Sequence, residues 1–174
     1  MQIFWSRGYE EAGLTELCEV MGIVRGSFYK AFGSKRALFL RVLERYDRTH
    51  IGAGVAMLRE GEGTGEERIA SLFGGAVERA RAGDHRGCLL CNTASGPGLG
   101  EEGVREAVEA QFAQLTDGFA AALADTRRYG LAGDADRLAE ARRLTMVYTG
   151  LRVLARGAMP VDMLDDAVAG MLAA

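Results

Sequence analysis

Along the 174 residues, apolar positions recur at spacings of three and four, with no sustained alternation of period two. Leu14, Leu17, Cys18 and Met21 make one stripe, closed by Gly22. Leu38, Val42, Leu43 and Tyr46 make a second, opening at Ser34, whose hydroxyl suits a helix N-cap. Ile69, Leu72, Phe73, Ala76 and Val77 form a third, between the turn-rich stretch 61–65 and Gly83. Val104, Val108, Phe112, Leu115, Phe119 and Leu123 predict a long helix over about 101–128. Glu101 and Glu102 would start it and Arg127 and Arg128 end it, as the helix dipole favours. Leu144, Val147, Tyr148, Leu151 and Leu154 follow Asp134. Val161, Leu164, Val168 and Met171 follow Pro160, which suits a first helical turn. The pattern predicts an all-α fold.

The first fifty residues carry the most specific arrangement. Two short helices, about 14–21 and 25–31, flank a turn at Gly22-Ile23, the layout of a helix-turn-helix. Gly22 permits positive φ there. The second helix displays Arg25, Gly26, Ser27 and Lys30, while Phe28 and Phe32 turn inward. Small side chains at Gly26 and Ser27 allow close approach to base edges, and Arg25 suits a bidentate contact to guanine. Tyr29, Lys30 and Lys35 are within reach of phosphates, and the helix N-terminus near Ser34 offers free amides to another. The same spacing also describes two helices with a solvated basic face.

Charge sharpens the choice. The chain is net −3, which by itself speaks against a polyanion partner. Residues 1–50, however, hold eight basic and six acidic side chains, and residues 51–174 hold thirteen and eighteen. A positive head on an acidic body points to a polyanion-binding end.

Composition removes other classes. With 48% hydrophobic and 26% charged residues the chain is neither disordered nor fibrous. No apolar run approaches the roughly 20 residues of a membrane helix, so no membrane partner is expected. Ile3, Phe4 and Trp5 are too short a run for a secretory signal. Three cysteines are too few for a disulfide scaffold, so a reduced, cytoplasmic chain is expected. The run from Gly96 to Gly100 lacks the Lys-Ser/Thr and the preceding strand of a phosphate loop. Only His50 and His85 are available to a hydrolytic triad, and Glu101-Glu102 and Asp165-Asp166 read as exposed turn charges. No enzyme and no cofactor is expected.

The stretch FWSRGYEEAGLTELCEVMGIVRGSFYKAFGSKRALF resembles the DNA-binding domain of TetR-family transcriptional regulators. The echoes are Phe4, Gly8-Tyr9, Leu17, Gly22-Ile23, Gly26-Ser27, Tyr29, Phe32, Ser34-Lys35 and Leu38. The resemblance implies a three-helix helix-turn-helix head on a helical ligand-binding and dimerisation body. It assigns DNA contacts to Arg25, Gly26, Ser27, Tyr29, Lys30 and Lys35, with Thr15 as a further phosphate contact. The family's first helix normally begins well before Phe4, so this chain is expected to start inside it. The head would be residues 1–33, joined through a helix of about 34–58 to a regulatory and dimerisation body of 51–174. The closing segment from Arg143 resembles the helix pair that meets its copy in a second subunit. Stripes at Leu144–Leu154 and Val161–Leu172 would build that homodimer, or bury into the monomer's own core.

Two features of the body bear on chemistry. RGCLLCNTASG resembles a branch carrying a Gly-Cys-Leu element, in which a cysteine at the Cys88 position senses electrophiles or oxidants in some members. Cys88 and Cys91, three apart near a helix start and beside Arg86, have the setting of lowered thiol pKa. Both also fit as small buried packers. His85 with the two thiols supplies metal-ligand types but no fourth ligand, and a disulfide at this spacing on a helix is disfavoured. Phe73, Phe112, Phe119, Met146 and Tyr148 are candidates to line a ligand pocket or simply to form core. Arg152 is a candidate anchor for an anion, with a surface position as the leading reading.

The expected function is a dimeric regulator of double-stranded operator DNA, a repressor released by an unknown small-molecule inducer or by cysteine modification. The competing expectation is a helical small-molecule- or metal-binding protein with little DNA affinity.

Overall fold

The computed structural model describes the backbone of residues 1–173 and the side chains as far as Gly170. Met171 and Leu172 of the last expected stripe therefore lie outside the described side chains. Three helices form the head: α1 (Gln2–Glu11, kinked at Gly8), α2 (Leu14–Met21) and α3 (Arg25–Phe32). A connecting rod follows, made of α4 (Lys35–Tyr46), a π-helical turn (Asp47–Ile51) and α5 (Gly52–Glu60). The body comprises α6 (Gly65–Arg81), α7 (Leu89–Ala94), a 3-10 turn (Pro97–Gly100), α8 (Val104–Ala124), α9 (Asp134–Arg156) and α10 (Val161–Ala173). The described residues are all helix, turn and loop.

Local chemistry sets the boundaries. Gly22, at φ 67°, closes α2: its amide donates to the Glu19 carbonyl and that of Ile23 to Cys18, both at 3.0 Å. The Ser34 hydroxyl accepts from the Ala37 amide at 3.0 Å and starts α4, as its sequence position predicts. Thr64 and Glu67 form a capping box at α6.

The helix expected over 101–128 is shorter at both ends. Gly103, in the left-handed region, precedes it, and the Asp125 amide turns back to the Ala122 carbonyl. The Thr126 hydroxyl accepts from the Tyr129 amide, and its carbonyl from Gly130. Glu101, Glu102, Arg127 and Arg128 therefore occupy the flanking turns. Complementary end charges are worth only tenths of a kcal/mol to about 1 kcal/mol, too little to extend a helix past such turns.

Two cores share the rod. One gathers Phe4, Trp5, Leu17, Phe28, Phe39 and Leu43 from the head and α4 with Leu89, Leu90, Val104 and Val108 from the body. The other holds Leu58, Phe73, Phe119, Leu144, Tyr148 and Leu164. Between them the Gly52 amide donates to the Asp47 carbonyl, five residues back, which widens the rod by one residue.

Candidate DNA-reading surface and the cavity at its junction

Phe28, fully buried in the core with Leu17 and Phe39, anchors α3 to the head, and Phe32, one turn further along the same helix, packs beside it with ring centroids 5.3 Å apart. That leaves Arg25, Gly26, Ser27, Tyr29 and Lys30 on the exposed side of the same helix. Arg25 donates to the Thr15 hydroxyl at 2.8 Å, so the sequence-predicted pair meets across the turn. Lys35 sits apart from this face: its ammonium lies 4.5 Å from the Tyr9 ring centre and donates to the Glu10 carbonyl. Sequence reasoning missed Val24, the N-cap of α3, which is 72% exposed beside Arg25. An exposed valine beside Arg25 has the apolar surface to meet a thymine methyl group.

A cavity of about 410 Å³ opens where the π turn meets α1, α6 and α9. Trp5, Tyr46, His50, Cys88, Tyr148 and Arg152 line it. His50 stacks on Tyr46 at 4.5 Å, and Trp5 meets both rings edge-on. The Gly87 carbonyl ties the wall together, accepting from the Trp5 indole at 3.3 Å and from the Arg152 guanidinium. Gly87 sits at φ 71°, and a Cβ there would come within 2.9 Å of Arg156. One carbonyl thus links the first helix of the head to the ninth.

Cys88 is the N-cap of α7, one residue outside the helix, with Cys91 in its first turn. Both sulfurs are buried. A hydrogen bond from the Cys91 thiol, aided by the Tyr46 hydroxyl at 3.3 Å and the Arg152 charge, lowers the Cys88 pKa to about 6 against its burial. The Cys91 thiol is pushed up, by donating to Cys88 and by burial. Tyr46 is likewise pushed up, by burial and by the neighbouring Cys88. Of the pair, Cys88 is the one whose surroundings favour the thiolate.

Several expected pocket residues stand elsewhere. Met146 is 69% exposed, because it lies two residues from Tyr148 and such neighbours occupy opposite helix faces. Phe73 packs into the body core on Tyr148, ring centroids 5.2 Å apart, and Phe112 packs on the other core. Of this set Tyr148 lines the cavity. Arg152, one turn beyond Tyr148 on the same face, is buried rather than on the surface. His85 is exposed, 3.3 Å from the Ala155 carbonyl, and no metal-binding group of His, Cys, Asp or Glu forms among the described residues.

A helix-turn-helix head packed on a helical body that carries a cavity defines a class of DNA-binding regulator. Residues 1–42 match the family described as bacterial regulatory proteins, tetR family. Over 171 residues, 97% of this chain and 88% of the other, it is 30% identical to the uncharacterized HTH-type transcriptional regulator YezE of Bacillus subtilis. It is 32% identical over 89 residues to the HTH-type transcriptional repressor NemR of Escherichia coli, covering 51% of this chain and 45% of NemR. Among solved structures, a cysteine mutant of the TetR-family regulator CifR complexed with 26-bp double-strand operator DNA superposes with a TM-score of 0.83. It is 34% identical, over 99% of this chain and 91% of that one. The chain belongs to the TetR family of transcriptional regulators and is a DNA-binding protein.

Proposed function

We propose that the chain is a cytoplasmic homodimeric repressor, without a reaction of its own. The head of residues 1–33 reads operator DNA, and an inducer in the body of 51–174, or modification of Cys88, releases it. The observation that carries this reading is the position of Cys88. It shares one cavity with Trp5 of the head and with the π turn of the rod, so a change at the sulfur meets both. A π turn is a soft point in a helix, and tilting the rod there alters the spacing of two heads across a two-fold. NemR carries the name of a repressor, and CifR has been seen on operator DNA, which supports the same role here. Met146, Val153, Leu154, Met159 and Met163 are exposed on or between the last two helices, an apolar face suited to a second copy.

In this reading Arg25, Gly26 and Ser27 meet bases, and Thr15, Tyr29, Lys30 and Lys35 meet phosphates. Arg25→Ala should cost about 1–3 kcal/mol at one operator position and relax preference there. Tyr29→Ala should weaken binding to every DNA sequence alike. Competition anisotropy with operator and scrambled duplexes separates the two, and equal binding by both variants and the parent would remove α3 as the reading helix.

The central test titrates the protein into fluorescent upstream DNA before and after N-ethylmaleimide, with Cys88→Ser alongside. Release by the reagent that vanishes in Cys88→Ser supports a thiol-switched repressor. Binding untouched by the reagent leaves a ligand-released one, and absence of binding at low salt turns the reading to a helical ligand-binding protein.

A further inference from the structure

The cavity beside the π turn holds more positive charge than its own residues neutralise. Arg79, Arg86 and Arg152 line it, with Asp84 as the one carboxylate among the lining residues. Asp84 is engaged already, both of its oxygens accepting from Arg86 at 2.8 Å. Arg152 is 6% exposed, gives one nitrogen to the Gly87 carbonyl, and keeps its Nε buried with no hydrogen-bond partner. Arg79 forms no ion pair among the described residues. Asp84 matches Arg86, which leaves Arg79 and the buried Arg152 without a carboxylate partner among the lining residues. A buried guanidinium without a counter-charge is costly, so the folded chain is poised to accept an anion.

The rest of the wall suits a flat ring. Trp5, Tyr46, His50 and Tyr148 present aromatic surface, and about 410 Å³ accommodates a one-ring molecule. His50 shares this wall with Arg79, Arg86 and Arg152, and burial together with those three charges lowers its pKa.

We infer that this cavity binds a small aromatic monocarboxylate, its carboxylate on Arg152 and Arg79 and its ring among Trp5, His50 and Tyr148. As an inducer site this rests on the released-repressor reading above; as a binding site it does not. A bound carboxylate faces the Cys88 sulfur across the same space. It disfavours the thiolate, and the ligand therefore slows chemistry at Cys88.

The test uses the intact chain with salicylate and its neutral counterpart salicylamide as probes. Salicylate should raise the melting temperature and slow iodoacetamide labelling of Cys88, read by peptide mass, several-fold. Salicylamide should do neither. Arg79→Gln, a change at an exposed position, should weaken the salicylate effect about tenfold, the loss of one charge-assisted contact. Arg152→Met should remove it. Equal effects of acid and amide, no effect of salicylate at tens of millimolar, or unchanged binding in Arg79→Gln would overturn the site. Operator release is read separately. Salicylate binding without release keeps the anion site and sinks the inducer reading. N-ethylmaleimide release without salicylate binding does the reverse.

Discussion

Iodoacetamide labelling of Cys88 is expected to reach half its limiting rate near pH 6, rather than near the 9.0 of an ordinary thiol. At pH 5.5 about a quarter of Cys88 is then thiolate, against about one part in three thousand for an unperturbed cysteine. A lower pKa also blunts the sulfur, by about twentyfold over three units at a Brønsted slope of 0.4–0.5. The net advantage is large in mildly acidic solution and shrinks toward neutral pH. The profile is therefore the diagnostic and a single rate at neutral pH is not. Burial slows labelling at every pH alike and leaves the midpoint in place.

Tyr46→Phe removes one hydroxyl donor to the sulfur, a hydrogen bond to a charged group worth about 1.5–3 kcal/mol. The midpoint should rise by about one to two pH units. The linkage has a definite sign. The folded pKa lies below the unfolded one, so ionisation of Cys88 adds stability that is complete above about pH 9 and is lost as pH falls through about 6. A Cys88 midpoint near 9 in the native protein would show that the Cys91, Tyr46 and Arg152 contacts do not hold a thiolate.

The head was readable from sequence because its determinants are local. Gly22-Ile23 and Ser34 end and begin helices through bonds to residues three to five positions away, and the aromatic pair Phe28 and Phe32 is one turn apart. The cavity was not readable, since Trp5, His50, Arg79 and Arg152 come from four distant segments that share no spacing. Arg152 misled for a physical reason: arginine is exposed by default, and its burial here depends on a carbonyl, Gly87, sixty-five residues away. Met146 misleads where Tyr148 does not, as hydrophobicity alone does not say which side of α9 faces in. The π turn left no mark in the apolar pattern, because one extra residue changes register within a single turn. By sequence Arg86 reads as a helper of the thiol. In the fold it is clamped by Asp84 and lies 4.3 Å over the Trp5 ring, so its main contact is with the head.

That junction is also where a single truncation should cost most. Phe4 is fully buried, 4.9 Å from Phe39 and 6.3 Å from Tyr9 between ring centres, in the core that binds α1, α4 and α7 into one unit. Phe4→Ala should destabilise the chain by about 3–5 kcal/mol, from lost transfer energy and the cavity left behind. Against a typical total of about 5–15 kcal/mol this is a large fraction. Urea denaturation at constant protein concentration should show the midpoint falling steeply, with Leu131→Ala, a fully exposed position, within about 0.5 kcal/mol of the parent. Because α1 carries Trp5 to the Gly87 carbonyl, the loss should not stay local. Protection of the Cys88 sulfur from iodoacetamide should fall along with stability, since the thiol is shielded by the same core. A Phe4→Ala chain with parental stability but faster Cys88 labelling would mean that the head opens from the body independently. The two cores would then unfold as separate units rather than as one.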